Sequence, residues 1–180
     1  ARRLSMPADS WRWNLPSEPV VWVAGIEFSP AMVAQLRTKA DEAMIPVVVG
    51  DMATAVVPGK YTLVFLVFNG ISNLLTQAEQ VACFNNAARH LNPGGRFVIE
   101  LWVPELRKLP MGESAIVATS ERNHFCVDTY DVLRQQVVSH HFFFGKGRGA
   151  VTGRSPHRYV WPAELDLMAQ IAGFELESRH

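Results

Sequence analysis

Four apolar runs of strand length constrain this chain more than any other feature: residues 20–26 (VVWVAGI), 47–49 (VVV), 63–68 (LVFLVF) and 97–103 (FVIELWV). They are rich in β-branched and aromatic residues and lack polar alternation, the texture of strands buried on both faces. Segments with helical spacing lie between them, so the order reads strand, helix, strand, strand, helix, strand. That order implies an α/β fold with a mostly parallel sheet.

The helix ends are legible. Ser29 is an N-cap with Pro30 at the first helical position, and Met32, Leu36, Ala40 and Met44 fall on one stripe. Thr76 and Glu79 form a capping box, in which hydroxyl and carboxylate satisfy orphan amides reciprocally. Val81, Phe84, Ala88 and Leu91 make the expected buried face of that helix, and Pro93, Gly94 and Gly95 end it. A third helix is expected over residues 162–172, with Leu165, Met168 and Ala172 inward and Gly173 as its left-handed terminator.

Residues 114–160 have a different texture. Segments 116–119, 126–132 and 136–144 read as extended, and GKGRG at 145–149 turns the last of these into the stretch from Val151 onward. This predicts an antiparallel β insertion. Residues 1–19 carry three prolines and no sustained period, so they read as an irregular arm bearing Trp11 and Trp13, with one domain over residues 20–180.

A chain of 180 residues suits a single domain with a substantial core. Seventeen basic residues balance seventeen acidic ones, so no net field steers the protein to nucleic acid or an anionic membrane, and small or neutral substrates are expected. Cys83 and Cys126 lack metal-type spacing, and Cys83 falls in a predicted helix as a buried thiol, which fits a reducing, cytoplasmic setting. No apolar run reaches the ~20 residues that span a bilayer, and residues 1–19 lack the apolar centre of a signal peptide. The first residue is not methionine and the opening stretch is polar, so a processed or trimmed chain is expected.

The chemistry-bearing residues start with Glu27, where the first apolar run stops and a helix begins. A carboxylate at the carboxyl end of such a strand lies at the ligand crevice of an α/β sheet, where it accepts hydrogen bonds from ribose hydroxyls. The competing reading is an ordinary surface acid. GDMA at 50–53 repeats the pattern of strand, acid and loop, so that Asp51 can accept from an adenine amino group while Met52 covers the ring. His140 and His141 are adjacent, so on a strand they face opposite ways. His90, near a helix end, suits a capping or dipole role. Lys146, Arg148, Arg154 and Arg158 make a basic run without alternating aromatics, which favours a solvated hairpin over a nucleic-acid patch. Tyr159 and Trp161 either line an acceptor pocket or seat the last helix. No Cys, His and carboxylate cluster has the spacing of a metal site.

GIEFSPAM, VVVGDMA, YTLVFLVFNGISNLL, LNPGGRFVIELWVP and RYVWPAELDLMAQIAGFEL occur in the order seen in class I S-adenosylmethionine-dependent methyltransferases that act on small molecules, and the chain resembles that family over residues 20–178. The resemblance implies a three-layer Rossmann-like sheet, mostly parallel, with a late antiparallel β insertion. It implies S-adenosylmethionine as cofactor and a small-molecule acceptor. Glu27 would bind the ribose hydroxyls, Phe28 would flank the adenine, Asp51 and Met52 would hold the base, and Phe68 and Asn69 would sit by the methionine end. Asn69 reads equally as a turn or helix cap. No catalytic base is assigned.

One departure from the family matters. A glycine-rich loop normally precedes the ribose acid by about twenty residues, because only glycine lets backbone approach the cofactor's amino-acid moiety so closely. Here Gly25 alone precedes Glu27. In the family the strand that carries the loop lies in the middle of the sheet, so its loss leaves two edges unpaired, and a neighbouring copy or the tryptophan-bearing arm is expected to cover them. The chain also stops near the family's penultimate strand, so a last strand is expected to be missing. Two functions from different classes follow: a methyltransferase carried by an incomplete chain, or a non-catalytic binding or assembly module.

Overall fold

The computed structural model describes residues 21–145 and 149–180; the expectations for the arm, Trp11, Trp13, Lys146 and Arg148 lie outside them. The elements run β1 (Gly25–Glu27), α1 (Pro30–Arg37), β2 (Val47–Val49), β3 (Tyr61–Leu66), a 3-10 turn (Gly70–Asn73), α2 (Gln77–His90), β4 (Leu91–Ile99), β5 (Ala115–Ser120), β6 (His124–Asp131), β7 (Gln136–Phe144), β8 (Ala150–Arg158) and α3 (Pro162–Ile171). β1 pairs with β2 in parallel and β3 with β4 in parallel, while β5 to β8 form an antiparallel meander in sequence order.

The order of elements agrees with the sequence reading, and β1 to β4 pair in parallel as expected, but a single mostly parallel sheet is not seen among the described residues. Among the described residues four strands lie in two parallel pairs and four in the antiparallel sheet, and no ladder joins one parallel pair to the other. Between the pairs lies an apolar slot of about 270 Å³, lined by Ala24, Gly25 and Ile26 along β1 and by Leu63, Val64 and Phe65 of β3, with Cys83 and Ala87 of α2 beside them. Among the described residues no third layer covers β3 and β4. Val64, Leu66, Phe97 and Ile99 alternate inward, but Leu63, Phe65 and Val98 on the other face are 48%, 59% and 47% exposed.

The core gathers on the covered side. Ala53, Ile71, Leu74, Cys83, Phe84, Val160 and Met168 are buried together, and Met52, Leu66 and Ile99 pack against them. The carboxyl ends of β2, β3 and β4 therefore converge on one cluster. Phe84, Phe97 and Phe174 close it with edge and tilted ring contacts of 5.3 and 5.8 Å between centroids.

α2 is held at its start by the expected box: Glu79 N–H donates to Thr76 Oγ1 at 3.2 Å, and Thr76 N–H to Glu79 Oε2 at 2.9 Å. Its buried face differs from the apolar stripe. Ala88 is only half-buried, while Gln80, Asn86 and His90 are buried and bonded. Asn86 donates to the carbonyls of Met52 and Ala55 at 2.8 Å each. His90 accepts from Val57 N–H at 3.0 Å through Nε2, which leaves Nδ1–H to donate to Asn86 O at 2.7 Å. His90 is thus a buried tie rather than a helix-end charge. The loop after β2 crosses the core, and its backbone groups need partners that apolar side chains cannot supply.

The Asn92-Pro93-Gly94-Gly95 turn opens β4, where the register jumps from Tyr61 opposite Leu91 to Leu63 opposite Arg96. Gly95 is required by close approach, since a Cβ there would lie 3.0 Å from Asn92 O and 3.2 Å from Thr62 O. α3 ends as expected, with Gly173 at φ 81°. α1 buries no residue, and Met32 of its expected inward stripe is 59% exposed.

Candidate functional site

The two acids come to the same end of the first parallel pair. Glu27 closes β1 opposite Val49, and Gly50 N–H donates to Glu27 O at 3.0 Å, so Asp51 follows on the adjacent strand. Glu27 Oε1 accepts from Ser29 N–H at 2.8 Å, a bond that fixes the turn into α1 and aims the carboxylate at the strand end. Asp51 Oδ1 accepts from Ala53 N–H at 2.8 Å in a tight turn of its own. Gly50 permits that turn, because an added Cβ would meet Ala55 Cβ at 2.9 Å. Asp51 also lies close to Cys83, whose thiol is pushed up to about 12, first by burial and then by the Asp51 charge. Cys83 is an inert thiol at neutral pH.

Phe28 is 76% exposed beside Glu27, while Met52 is half-buried against the core. Phe68 and Asn69 follow β3 with φ of 53° and 58°. Left-handed backbone at a phenylalanine costs on the order of 1–3 kcal/mol and recurs at ligand sites, and Phe68 is 85% exposed there. The loop after β4 holds this turn in place. Phe68 N–H approaches Glu100 Oε2 at 3.4 Å, Asn69 N–H donates to Glu100 O at 3.3 Å, and Asn69 Oδ1 accepts from Trp102 N–H. The Asn69 side chain therefore braces two loops, and it makes no side-chain cap on the 3-10 turn.

Glu100 and Trp102 were not singled out by sequence reasoning. The signal available was position: both follow the carboxyl end of a strand, where α/β sheets place ligands. Among the described residues no group of three or more His, Cys, Asp or Glu is arranged to hold a metal ion, and no helix is long and apolar enough to cross a membrane.

A methyltransferase-domain family model matches residues 14–95. No curated protein matches the sequence. Among solved structures, the CcbJ methyltransferase from Streptomyces caelestis is 34% identical with a TM-score of 0.77, and the match covers 89% of this chain and 66% of that one. CalS10 from Micromonospora echinaspora, an amino pentose methyltransferase of calicheamicin biosynthesis solved with S-adenosylmethionine bound, is 23% identical with a TM-score of 0.66, over 84% of this chain and 65% of that one. DesVI from Streptomyces venezuelae is 23% identical with a TM-score of 0.61, over 86% and 66%. The chain thus spans about two thirds of the length of these structures. The ordered motifs, the family model and the match at 34% identity agree, and the chain belongs to the class I S-adenosylmethionine-dependent methyltransferases.

Proposed function

We propose that this chain is the larger part of an enzyme that moves a methyl group from S-adenosylmethionine to a small-molecule acceptor. The observation that carries the reading is the pairing of β1 with β2 in parallel, which brings Glu27 and Asp51 to the same end of the pair. In this reading Glu27 takes the ribose hydroxyls, Phe28 flanks the adenine, Asp51 and Met52 hold the base, and Phe68 and Asn69 stand at the methionine end. The bound cofactor supplies a methyl carbon already activated by its sulfonium charge. The work left to the protein is then orientation and exclusion of water, with a base needed only where the acceptor must lose a proton.

The slot between β1 and β3 is apolar on both strands, as a site for a further strand would be. A reducing compartment suits the two free thiols, Cys83 and Cys126. A second reading, a non-catalytic binding or assembly module, is favoured by one observation: among the described residues β1 and β3 share no ladder.

Calorimetric titration with S-adenosylhomocysteine tests the site. Binding by the 180-residue chain should be weak, because only the adenosine half has its partners. Glu27→Ala and Asp51→Ala should each weaken it about tenfold, the worth of one charge-assisted hydrogen bond of ~1.5 kcal/mol. Affinity unchanged in both variants removes the assignment.

A further inference from the structure

Gln80 lies on the inner face of α2 with no exposed surface, and its side chain is fully engaged. Its amide nitrogen donates to three carbonyls: Ile71 at 3.2 Å, Leu74 at 3.2 Å and Arg158 at 3.3 Å. An amide has two N–H groups, so three acceptors leave it no donor to spare. Its oxygen accepts from the Arg158 guanidinium. That contact fixes which way the amide points. A guanidinium only donates, and the flipped amide would set its NH2 against the guanidinium and its oxygen against three carbonyls.

The three carbonyls belong to two parts of the fold. Ile71 lies in the 3-10 turn and Leu74 caps its end, directly after Phe68 and Asn69, whereas Arg158 ends β8 of the antiparallel sheet. The turn starts from two left-handed residues, Phe68 at φ 53° and Asn69 at φ 58°, and backbone of that kind persists only where its surroundings over-determine it. From the β4 side the loop at Glu100 and Trp102 holds it. From within, Ser72 N–H donates to Asn69 O at 2.9 Å and Leu74 N–H to Ile71 O at 3.2 Å, and Gln80 anchors that same Ile71 carbonyl. Ile71, Ser72 and Leu74 are buried, so water cannot take the place of the Gln80 amide. Arg158 is set in turn by Glu164 at 2.6 Å and by Gln135 at 3.2 Å, so the amide takes its orientation from the end of the sheet.

We propose that Gln80 is a positioning residue for methyl transfer: it holds the turn that presents Phe68 and Asn69 at the crevice, and through Arg158 it makes the antiparallel sheet set the geometry of that turn. The role in methyl transfer rests on the reading of the site given above; the hold on the turn does not. Gln80 touches no ligand and acts through the backbone carbonyls of Ile71 and Leu74.

The test uses the whole chain, 15N-labelled, with S-adenosylhomocysteine as the probe. Gln80→Glu removes both N–H donors and keeps an oxygen for the Arg158 guanidinium, so the joint to β8 survives while the turn is released. The amide signals of residues 68–70 should move, and S-adenosylhomocysteine affinity should fall about fivefold, one hydrogen bond of ~1 kcal/mol. Val137→Ala truncates a buried side chain of β7 that takes part in none of these bonds; it should lower the melting temperature and leave both readouts unchanged. If Gln80→Glu does not fold, Arg158→Met carries the test, because it removes the guanidinium that orients the amide and leaves Gln80 in place, and the same signals should move. Unmoved signals at residues 68–70 in the variant that folds, unchanged affinity where the parent binds, or equal effects in Val137→Ala overturn the proposal. Titration of the parent separates this role from the reading it rests on. Moved signals with no binding by the parent leave the hold on the turn and sink the methyltransferase site, whereas binding by the parent with unmoved signals sinks the role of Gln80 alone.

Discussion

Arg158 ends β8 with a side chain only 4% exposed, and it joins three elements. Its guanidinium pairs with Glu164 of α3 at 2.6 Å, donates to Gln135 at 3.2 Å and bonds to Gln80 of α2. Removing one partner of a buried pair strands the other, so Arg158→Met should cost about 3 kcal/mol in urea unfolding, and the added loss in Arg158→Met with Glu164→Gln should be smaller. Burial alone would raise the Glu164 carboxyl. Hydrogen bonds from Gln77, Gln135 and Arg158, together with the Arg158 charge, outweigh it and lower the value. A lowered folded value means that Glu164 stabilises fully above the ordinary carboxylate value of 4.5 and loses this contribution as pH falls below it. Acid titration of stability should show a shallower loss over that window in Glu164→Gln than in the parent. His90→Leu should likewise cost about 1–3 kcal/mol, since it orphans the buried Val57 N–H.

At the scale of elements, the caps were readable because they depend on residues within one turn of each other. Thr76→Ala should cost about 1 kcal/mol by chemical denaturation, through loss of the bond to Glu79 N–H. The meander of β5 to β8 was legible for the same reason, from short extended runs separated by turn residues. The buried face of α2 was not. Gln80, Asn86 and His90 sit inward because backbone groups more than thirty residues away in sequence, the carbonyls of Arg158 and Met52 and the amide of Val57, need partners there. A helical period reports which positions share a face, and it says nothing of what the opposing backbone needs.

For the molecule as a whole, the dominant feature among the described residues is apolar surface without a partner strand or layer. β1 and β3 flank a slot without sharing a ladder, and Leu63, Phe65 and Val98 face solvent. Edges and faces of this kind pair with other chains. Sedimentation at micromolar concentration should show a dimer or larger species, and Phe65→Lys should shift it toward monomer; a parent that sediments as a clean monomer contradicts this. If the slot takes a further strand, fusing a parallel strand and a glycine-rich turn ahead of residue 20 should remove the association and tighten S-adenosylhomocysteine binding by more than tenfold. A fused protein that folds and fails to bind favours the non-catalytic module.

Read without its structure, the chain determined the order of its elements, its helix starts, the antiparallel insertion and the strand-end placement of Glu27 and Asp51, because each follows from local period, capping chemistry or where an apolar run stops. Tertiary structure decided the rest. Among the described residues it placed the parallel strands in two pairs, turned Asn69 toward Trp102, buried the polar face of α2, and gathered three histidines on one face of a sheet. Those outcomes depend on which distant backbone and side-chain groups must be satisfied together, and that requirement exists only once the chain has folded.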